Sequence, residues 1–350
     1  MIRKLSDRVG LLAVVCMVSA ASQGATLKVP QQYPTIQQAV NAATNGDTVR
    51  VAAGVYAERV FIVGKAVSLV GAGAGQSIID AGGSAGGNGR PITVSATGPL
   101  KVTIAGFTLR NGYTTWDDLS FIGAGQGGGL YAENANIVIR DDVLTGNLGC
   151  LGTALATLEA TVSLVHNRIE NNPGTHDCGQ QAIMLRANLG GESFVTGNVI
   201  RDHNVTGLQL QGLGTTTVNN NVFSNNRASV EFGLEYGGLI SLYTPVTLTN
   251  NLFTGNSGIA SGGALIGLSG EGVAHISGNS FVGNFGTLTS SSLNLSGYTP
   301  GEFVLKSNQF DESTDQPVIT CSSEYVIDRS NVFGSNSEGV LTGACVTGNE

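Results

Sequence analysis

Seven side chains that could bind a metal ion, a sugar or a proton fall in three short stretches of the chain. They are Trp116, Asp117, Asp118, His176, Asp177, Glu231 and Glu235. Trp116 is the sole tryptophan. An exposed indole offers a flat apolar face and one N–H donor, which suits stacking against a sugar ring. The three stretches predict a ligand-binding surface if the fold brings them together.

Two kinds of chemistry would fit these side chains. Carboxylates are preferred ligands of Ca²⁺, so Asp117, Asp118 and Asp177 are candidate calcium ligands. With calcium in place, His176 or Arg186 could take the proton α to a sugar carboxylate, as a polysaccharide lyase requires. A hydrolase would instead need two carboxyl groups facing each other across a groove. The alternative to both is that these residues are only solvated, because charged side chains mostly lie at protein surfaces.

A repeated motif indicates where these stretches lie. A marker residue, usually asparagine, recurs every 23 to 35 residues, and an apolar residue follows it two places later. The marker positions are Phe107, Asp142, Asn167, Asn198, Asn221, Asn251, Asn279, Asn308 and Asn331. A second asparagine recurs five places after many of the markers, at Asn147, Asn172, Asn226, Asn256, Asn284 and Asn336. A fixed local motif with variable spacing indicates a solenoid with one coil per repeat.

Each repeat also contains a strand-like segment after the second asparagine. Examples are Gly129–Glu133, Ala182–Arg186, Gly207–Gln211, Gly238–Leu242 and Gly263–Leu268. Alternation in these segments predicts strands that point one set of side chains inward and the other set outward. Asparagines at one turn of successive coils can pass amide hydrogen bonds along the stack, and they tolerate left-handed backbone. We therefore predict a structural role for the asparagines.

The connection from the second asparagine to the next strand is overlong at residues 113–126, 173–180 and 227–236. Long loops on a compact solenoid are often functional, and the seven side chains lie in these three. The loops should rise beside strands whose outward side chains include Tyr131, Glu133, Arg186, Gln209 and Gln211. We predict that these five side chains and the loops form one binding face.

The segment before the repeats reads as a cap. Thr35 is a suitable N-cap for a helix that places Ile36, Val40 and Ala43 on one apolar face. A helix here would cover the open end of the solenoid, where strand edges would otherwise be bare. We expect residues 25–100 to form the cap and first coils, continuous with repeats over residues 101–350.

The sequence resembles the right-handed parallel β-helix proteins of the pectin-lyase-like superfamily over nearly all of residues 25–350. The segments Tyr33–Val40, Gly46–Val49 and Gly54–Glu58 are similar to the N-terminal segment of that superfamily, and the asparagine motif is similar to its stacked turns. The resemblance implies an all-β, right-handed parallel β-helix with a short N-terminal capping helix. It implies no particular reaction, because the signature segments of pectinesterases and polygalacturonases are absent from the sequence.

The chain ends, composition and cysteines bear on location and partners. Residues 1–24 have the basic start, apolar middle and small-residue end of a cleavable export signal, so we expect a secreted or periplasmic protein. No later segment is long and apolar enough to insert into a membrane. The net charge of −8 disfavours nucleic acid as a partner. Cysteines about one repeat apart predict the disulfides Cys150–Cys178 and Cys321–Cys345.

The sequence thus predicts an exported β-helix protein that contacts a polysaccharide or another surface through its long-loop face without catalysing a reaction. The alternative is a lyase or hydrolase that acts on uronic-acid polysaccharides at the same face. Calcium is the candidate cofactor of that alternative.

Overall fold

The computed structural model describes most of the chain. The described residues are 24–84, 89–116, 122–174, 181–187, 190–212, 214–228, 236–242, 245–268, 273–288, 290–297, 303–312, 316–334 and 341–348. They form one helix, Ile36–Ala42, and many short strands that pair in parallel from coil to coil. The chain is a right-handed parallel β-helix, as the sequence predicted.

Two faces of the solenoid belong to one 20-stranded sheet, because four long strands run through both faces. The strands of the front face are Val60–Val63, the first parts of Ile92–Ala105 and Leu130–Arg140, Leu155–Leu158, Gln181–Arg186, Thr206–Gln211, Leu239–Leu242, Ala264–Gly267, Leu293–Ser296, and the first parts of Ile319–Ile327 and Leu341–Thr347. The strands of the side face are Thr26–Val29, Thr48–Val51, Ser68–Val70, Thr161–Val165, Glu192–Thr196, Thr215–Asn219, Val246–Thr249, Ala274–Ser277, Phe303–Lys306, and the second parts of the four strands named in part above.

The back face is a separate 11-stranded sheet. Its strands are Gly54–Tyr56, Ser77–Asp80, Phe107–Arg110, Val143–Thr145, Arg168–Glu170, Val199–Arg201, Val222–Ser224, Leu252–Thr254, Ser280–Val282, Gln309–Asp311 and Val332–Phe333. Ser257–Gly258 and Phe285–Gly286 form a further short pair. Each coil therefore runs from front to side to back, and the loops that precede the front strands rise beside the front face.

Inward side chains of the three faces stack into one continuous hydrophobic core. The apolar position two places after each marker is fully buried in Leu109, Leu144, Ile169 and Ile200, and phenylalanine takes it over in the later coils. Phe223, Phe253, Phe281, Phe310 and Phe333 stack with neighbouring ring centroids 4.7 to 5.1 Å apart. This distance is the coil spacing, so the same contact is repeated at every step.

The marker asparagines form a hydrogen-bonded column between the side and back faces, which we call the first ladder. From Asn167 to Asn308, the backbone N–H and Nδ2 of each asparagine donate to Oδ1 of the next, at 2.8 to 3.0 Å. The residue before the marker has a left-handed backbone where it is Asp141, Asn220 or Asn250, with φ of 56° to 59°. This geometry explains the Asp-Asp and Asn-Asn pairs, since Asn and Asp tolerate positive φ.

The second asparagines form a second ladder between the back face and the loops, and it is interrupted. His203 follows Asn172 in this ladder: the Asn172 backbone N–H donates to His203 Nδ1, and His203 Nε2 lies 3.1 Å from the Ile169 carbonyl oxygen. Burial lowers the pKa of His203 to about 4. Glu312 stands after Asn284, accepts hydrogen bonds from its backbone N–H and Nδ2, and has its pKa raised by burial. Asn336 lies outside the described residues.

The capping helix Ile36–Ala42 is held at both ends by side chains. Thr35 Oγ1 accepts from the Gln38 N–H at 3.1 Å, as the N-cap prediction required. The Glu58 carboxylate accepts from the N–H groups of Ile36 and Gln37, the first two of the helix, at 3.0 Å. Lys65 Nζ donates to three carbonyl oxygens at the C-terminal end, at 2.6 to 2.9 Å. The cap thereby satisfies helix ends that would otherwise be unpaired.

One predicted disulfide is confirmed. Cys321 and Cys345 are bonded, with their Cα atoms 5.1 Å apart. Cys150 is also disulfide-bonded, and its predicted partner Cys178 lies outside the described residues. Among the described residues, no helix has the length and hydrophobicity needed to cross a membrane.

Candidate functional site

Two columns of outward side chains run along the front face, two residues apart on each strand. The closed column consists of Thr93, Tyr131, Ala156 and Met184. The open column consists of Val63, Ser95, Glu133, Leu158, Arg186 and Gln211. Strand alternation places both columns outside the hydrophobic core. Their surroundings nevertheless differ.

The closed column is buried. Its four side chains are at most 3% exposed, and Tyr131, Ala156 and Met184 form a small apolar cluster separate from the core of the solenoid. Gln181 Nε2 donates to the Met184 sulfur at 2.9 Å. The first long loop contributes to this cover through Gly123, which packs against the ring of Tyr131.

Arg90 ties that loop to the sheet. Its guanidinium donates to the carbonyl oxygens of Ile122 and Gly123 at 2.8 and 2.6 Å, and to Thr93 Oγ1 at 3.2 Å. The same group stands 5.1 Å from the ring centroid of Tyr131, a cation–π distance. Burial lowers the pKa of Arg90 to about 10, so the side chain keeps its charge at neutral pH. Arg90 was missed by the sequence reasoning because it precedes the repeated motifs.

Two glycines allow the loop to approach so closely. Gly123 and Gly125 have φ of 67° and 69°. A Cβ on Gly123 would lie 2.5 Å from the Tyr131 ring, and one on Gly125 would lie 2.5 Å from the six-membered ring of Trp116. Trp116 is therefore packed against backbone on one side and remains 45% exposed. The loop presents a supported indole ring at the margin of the front face.

The open column is accessible over six consecutive coils, with every member half-buried or exposed. Glu133 Oε1 accepts from Ser95 Oγ at 2.7 Å, and Oε2 accepts from the Tyr131 hydroxyl at 3.0 Å. Burial and the nearby Glu133 charge raise the pKa of Tyr131. Within the described part of the chain, no carboxylate forms a salt bridge with Arg186. The column contains four hydrogen-bonding side chains and two apolar ones, Val63 and Leu158.

The structure brings together part of the predicted binding face. Glu133, Arg186, Gln209 and Gln211 share the front face on neighbouring strands. The predicted ligand-binding role of Tyr131 is wrong. Tyr131 lies on the predicted face, but its ring is 1% exposed beneath the loop and is not accessible to a ligand. Ser95 and Leu158 were not predicted, although they fall in register with Glu133.

The remaining predicted residues are outside the described residues. They are Asp117, Asp118, His176, Asp177, Glu231 and Glu235. Their calcium-binding, catalytic and sugar-binding roles stay predictions. The described residues contain no group of three or more His, Cys, Asp or Glu side chains placed to hold a metal ion.

Comparisons with known proteins identify the family of the chain. The family model described as the right handed beta helix region matches residues 102–281. A search of curated proteins finds no match. Similar solved structures include XylC in complex with xylose, at 12% identity and a TM-score of 0.47, covering 85% of this chain and 77% of that one. ORF18 of Geobacillus virus E2 has 13% identity and a TM-score of 0.44, covering 81% of this chain and 61% of that one.

A third similar structure is the catalytic domain of a GH87 alpha-1,3-glucanase in complex with tetrasaccharides. It has 14% identity and a TM-score of 0.44, and the match covers 88% of this chain and 59% of that one. Similarity at this level carries no conclusion about activity. The family assignment rests on the match over residues 102–281 together with the coil geometry. The chain belongs to the right-handed β-helix family.

Proposed function

We propose that the open column is the binding surface for an extended polysaccharide, and that the protein binds this ligand without transforming it. The observation that carries the proposal is the continuous run of accessible polar and apolar side chains along six coils. The half-exposed ring of Trp116, held against Gly125 in the first long loop, supplies an aromatic side chain on the same part of the solenoid. A binding site of this kind needs a few well-placed polar groups and an aromatic anchor.

The chemistry of the column suits a sugar chain. Glu133 supplies acceptor oxygens, Arg186 supplies charged donors, and Gln211 supplies both kinds of group. Leu158 lies between the acceptor and the charged donor, where it can contact an apolar ring face. Successive members are about 4.8 Å apart along the stack, the strand spacing of a sheet, so an elongated ligand would meet one side chain per coil.

The proposal of binding without catalysis rests on Glu133. A hydrolase needs two opposed carboxyl groups, whereas Glu133 is the one carboxylate of the open column, and both its oxygens already accept hydrogen bonds. A lyase or hydrolase remains the alternative, with Arg186, His176 and Asp177 as candidate catalytic residues and Asp117, Asp118 and Asp177 as candidate calcium ligands. We also propose export directed by residues 1–24, in agreement with the Cys321–Cys345 disulfide.

Affinity electrophoresis of the mature protein through gels that contain polygalacturonate, alginate or a neutral glucan tests the binding proposal. We expect retardation by at least one polymer. Trp116→Ala and Arg186→Ala should each weaken binding about ten-fold, since buried aromatic and Arg contacts carry most of a binding energy. Phe285→Ala is the matched control, because Phe285 is also 45% exposed and lies outside the open column. Retardation that persists unchanged in both variants would contradict the proposal.

An activity assay separates binding from catalysis. The wild-type protein is incubated with polygalacturonate and with alginate, with and without Ca²⁺, and the absorbance of unsaturated product and the reducing ends are followed. We expect neither signal. Product that forms in the wild type and is lost in Arg186→Ala or His176→Ala would replace the binding proposal with the lyase alternative.

A further inference from the structure

We propose that the binding surface continues to a second aromatic contact at Phe61, so that the protein selects long stretches of its polysaccharide over short ones. The inference rests on the proposed function, since it assigns the far end of the same surface. Its occupant is the same sugar chain that lies on the open column.

The first front strand differs from the strands that follow it. Its outward residues Phe61 and Val63 pair in register with Thr93 and Ser95. Val63 is the first member of the open column and is 53% exposed, while Phe61 stands in line with the closed column and is 40% exposed. The loop that Arg90 holds in place covers Tyr131, which is two coils further on. On the first front strand the residues in line with both columns, Phe61 and Val63, are therefore accessible, and the accessible surface is wider at this end.

Phe61 is held on a fixed backbone. Its N–H donates to Gln37 Oε1 at 2.7 Å, and its carbonyl oxygen accepts from Gln37 Nε2 at 3.1 Å. Gln37 belongs to the capping helix, whose first N–H groups are bonded to Glu58. The amide of Gln37 thus replaces the neighbouring strand that the end of the sheet lacks. A ring presented on such a support loses little freedom when a ligand binds.

The length of the surface sets the size of the ligand. The open column runs over six strands from Val63 to Gln211, and five steps of about 4.8 Å give about 24 Å. One sugar ring covers a small part of this distance. A short oligosaccharide can contact Glu133 and Arg186 without reaching Phe61, whose strand lies two strands before that of Glu133. Only a longer chain can contact both ends, so Phe61 contributes to affinity for long ligands alone.

The test is calorimetry with a length series of oligosaccharides cut from the polysaccharide that the wild-type protein binds. We expect affinity to rise with chain length until the ligand spans the column. Phe61→Ala should lower the affinity of the longest ligand about five-fold, the size expected for loss of one aromatic contact, and leave the shortest unchanged. Val63→Ser should have the same length dependence. Phe194→Ala is the matched control, because Phe194 is also 40% exposed but lies on the side face.

The outcomes separate this inference from the proposed function. If the wild type binds and Trp116→Ala weakens binding, but Phe61→Ala and Val63→Ser act equally on all lengths or not at all, the Phe61 contact is overturned and the binding surface stands. If the wild type binds no polysaccharide, both fail. Self-association of the wild type that Phe61→Ala abolishes would identify a second copy as the occupant and would also overturn the inference.

Discussion

The closed and open columns of the front face lie two residues apart on the same strands, yet one is buried and the other is accessible to solvent. Tyr131 and Glu133 show the contrast on one strand: the Tyr131 ring is 1% exposed, while Glu133 is reached by solvent. Strand alternation predicts that both side chains point outward, and it cannot predict which of them is buried. The difference comes from a loop that is fastened over one column and leaves the other open.

The same contrast holds for two arginines. Arg90 is 2% exposed, and its guanidinium donates to loop carbonyls and stacks on Tyr131. Arg186 is half-buried in the open column and has no described carboxylate as a partner. The contacts of Arg90 give it a structural role, and the proposed function gives Arg186 a ligand-binding role. Substitutions on the two columns should separate stability from binding.

The largest expected effect is on the closed column. Arg90→Met should lower the free energy of unfolding by about 3 kcal/mol, because two carbonyl oxygens under the loop lose a charged donor and the ring of Tyr131 loses its cation. Arg186→Met, the matched control, should change it by less than about 0.5 kcal/mol. Urea denaturation followed by circular dichroism measures both. Equal losses in the two variants would remove the distinction between the columns.

A smaller effect is expected from filling the space beneath the loop. Gly123→Ala places a methyl group against the Tyr131 ring in addition to straining a left-handed backbone. Gly190→Ala is matched in backbone, with φ of 73°, but its Cβ would meet nothing within 4 Å. Both changes should cost about 1 kcal/mol from backbone strain, and Gly123→Ala a further 1 to 3 kcal/mol from overpacking. Thermal midpoints of the two variants give the difference, and its absence would mean that the loop does not bear on Tyr131.

The smallest effect concerns the contact between the columns. Tyr131→Phe removes the hydroxyl that donates to Glu133 and should cost about 1 kcal/mol, the usual net value of one hydrogen bond. Tyr56→Phe is the control, because the Tyr56 hydroxyl donates to Ala52 at an exposed site and should contribute less. Denaturation midpoints compare them. A larger loss in Tyr56→Phe would show that the hydroxyl of Tyr131 is not buried against Glu133.

Much of the fold could be predicted because one motif repeats in every coil from Phe107 onward. Position in the repeat correctly aligned Asn251 and Phe253 with the equivalent residues of the neighbouring coils, and it located the strands on either side of them. The same rule applied strictly would have identified His203, which stands five places after the marker Asn198 and replaces the asparagine with a ring nitrogen. Glu312 stands four places after Asn308, so spacing alone could not place it in the second ladder.

The candidate site could be predicted only in part. Alternation correctly put Glu133, Arg186 and Gln211 on one face. It could not show that Tyr131 is covered, because the loop that covers it is held by Arg90, which precedes the repeated motif. Exposure of an outward side chain is decided by what packs above it, and a single-strand pattern carries no information about that contact.

Fluorescence of Trp116, the sole tryptophan, tests the central claim most directly. The wild-type protein is titrated with the polysaccharide that retards it in gels, and the emission is recorded. The open column predicts a saturable change in emission whose midpoint rises about ten-fold in Arg186→Ala and stays the same in Phe285→Ala. Binding detected by calorimetry without any change at Trp116, or a midpoint unaffected by Arg186→Ala, would contradict the claim that this column is the binding surface.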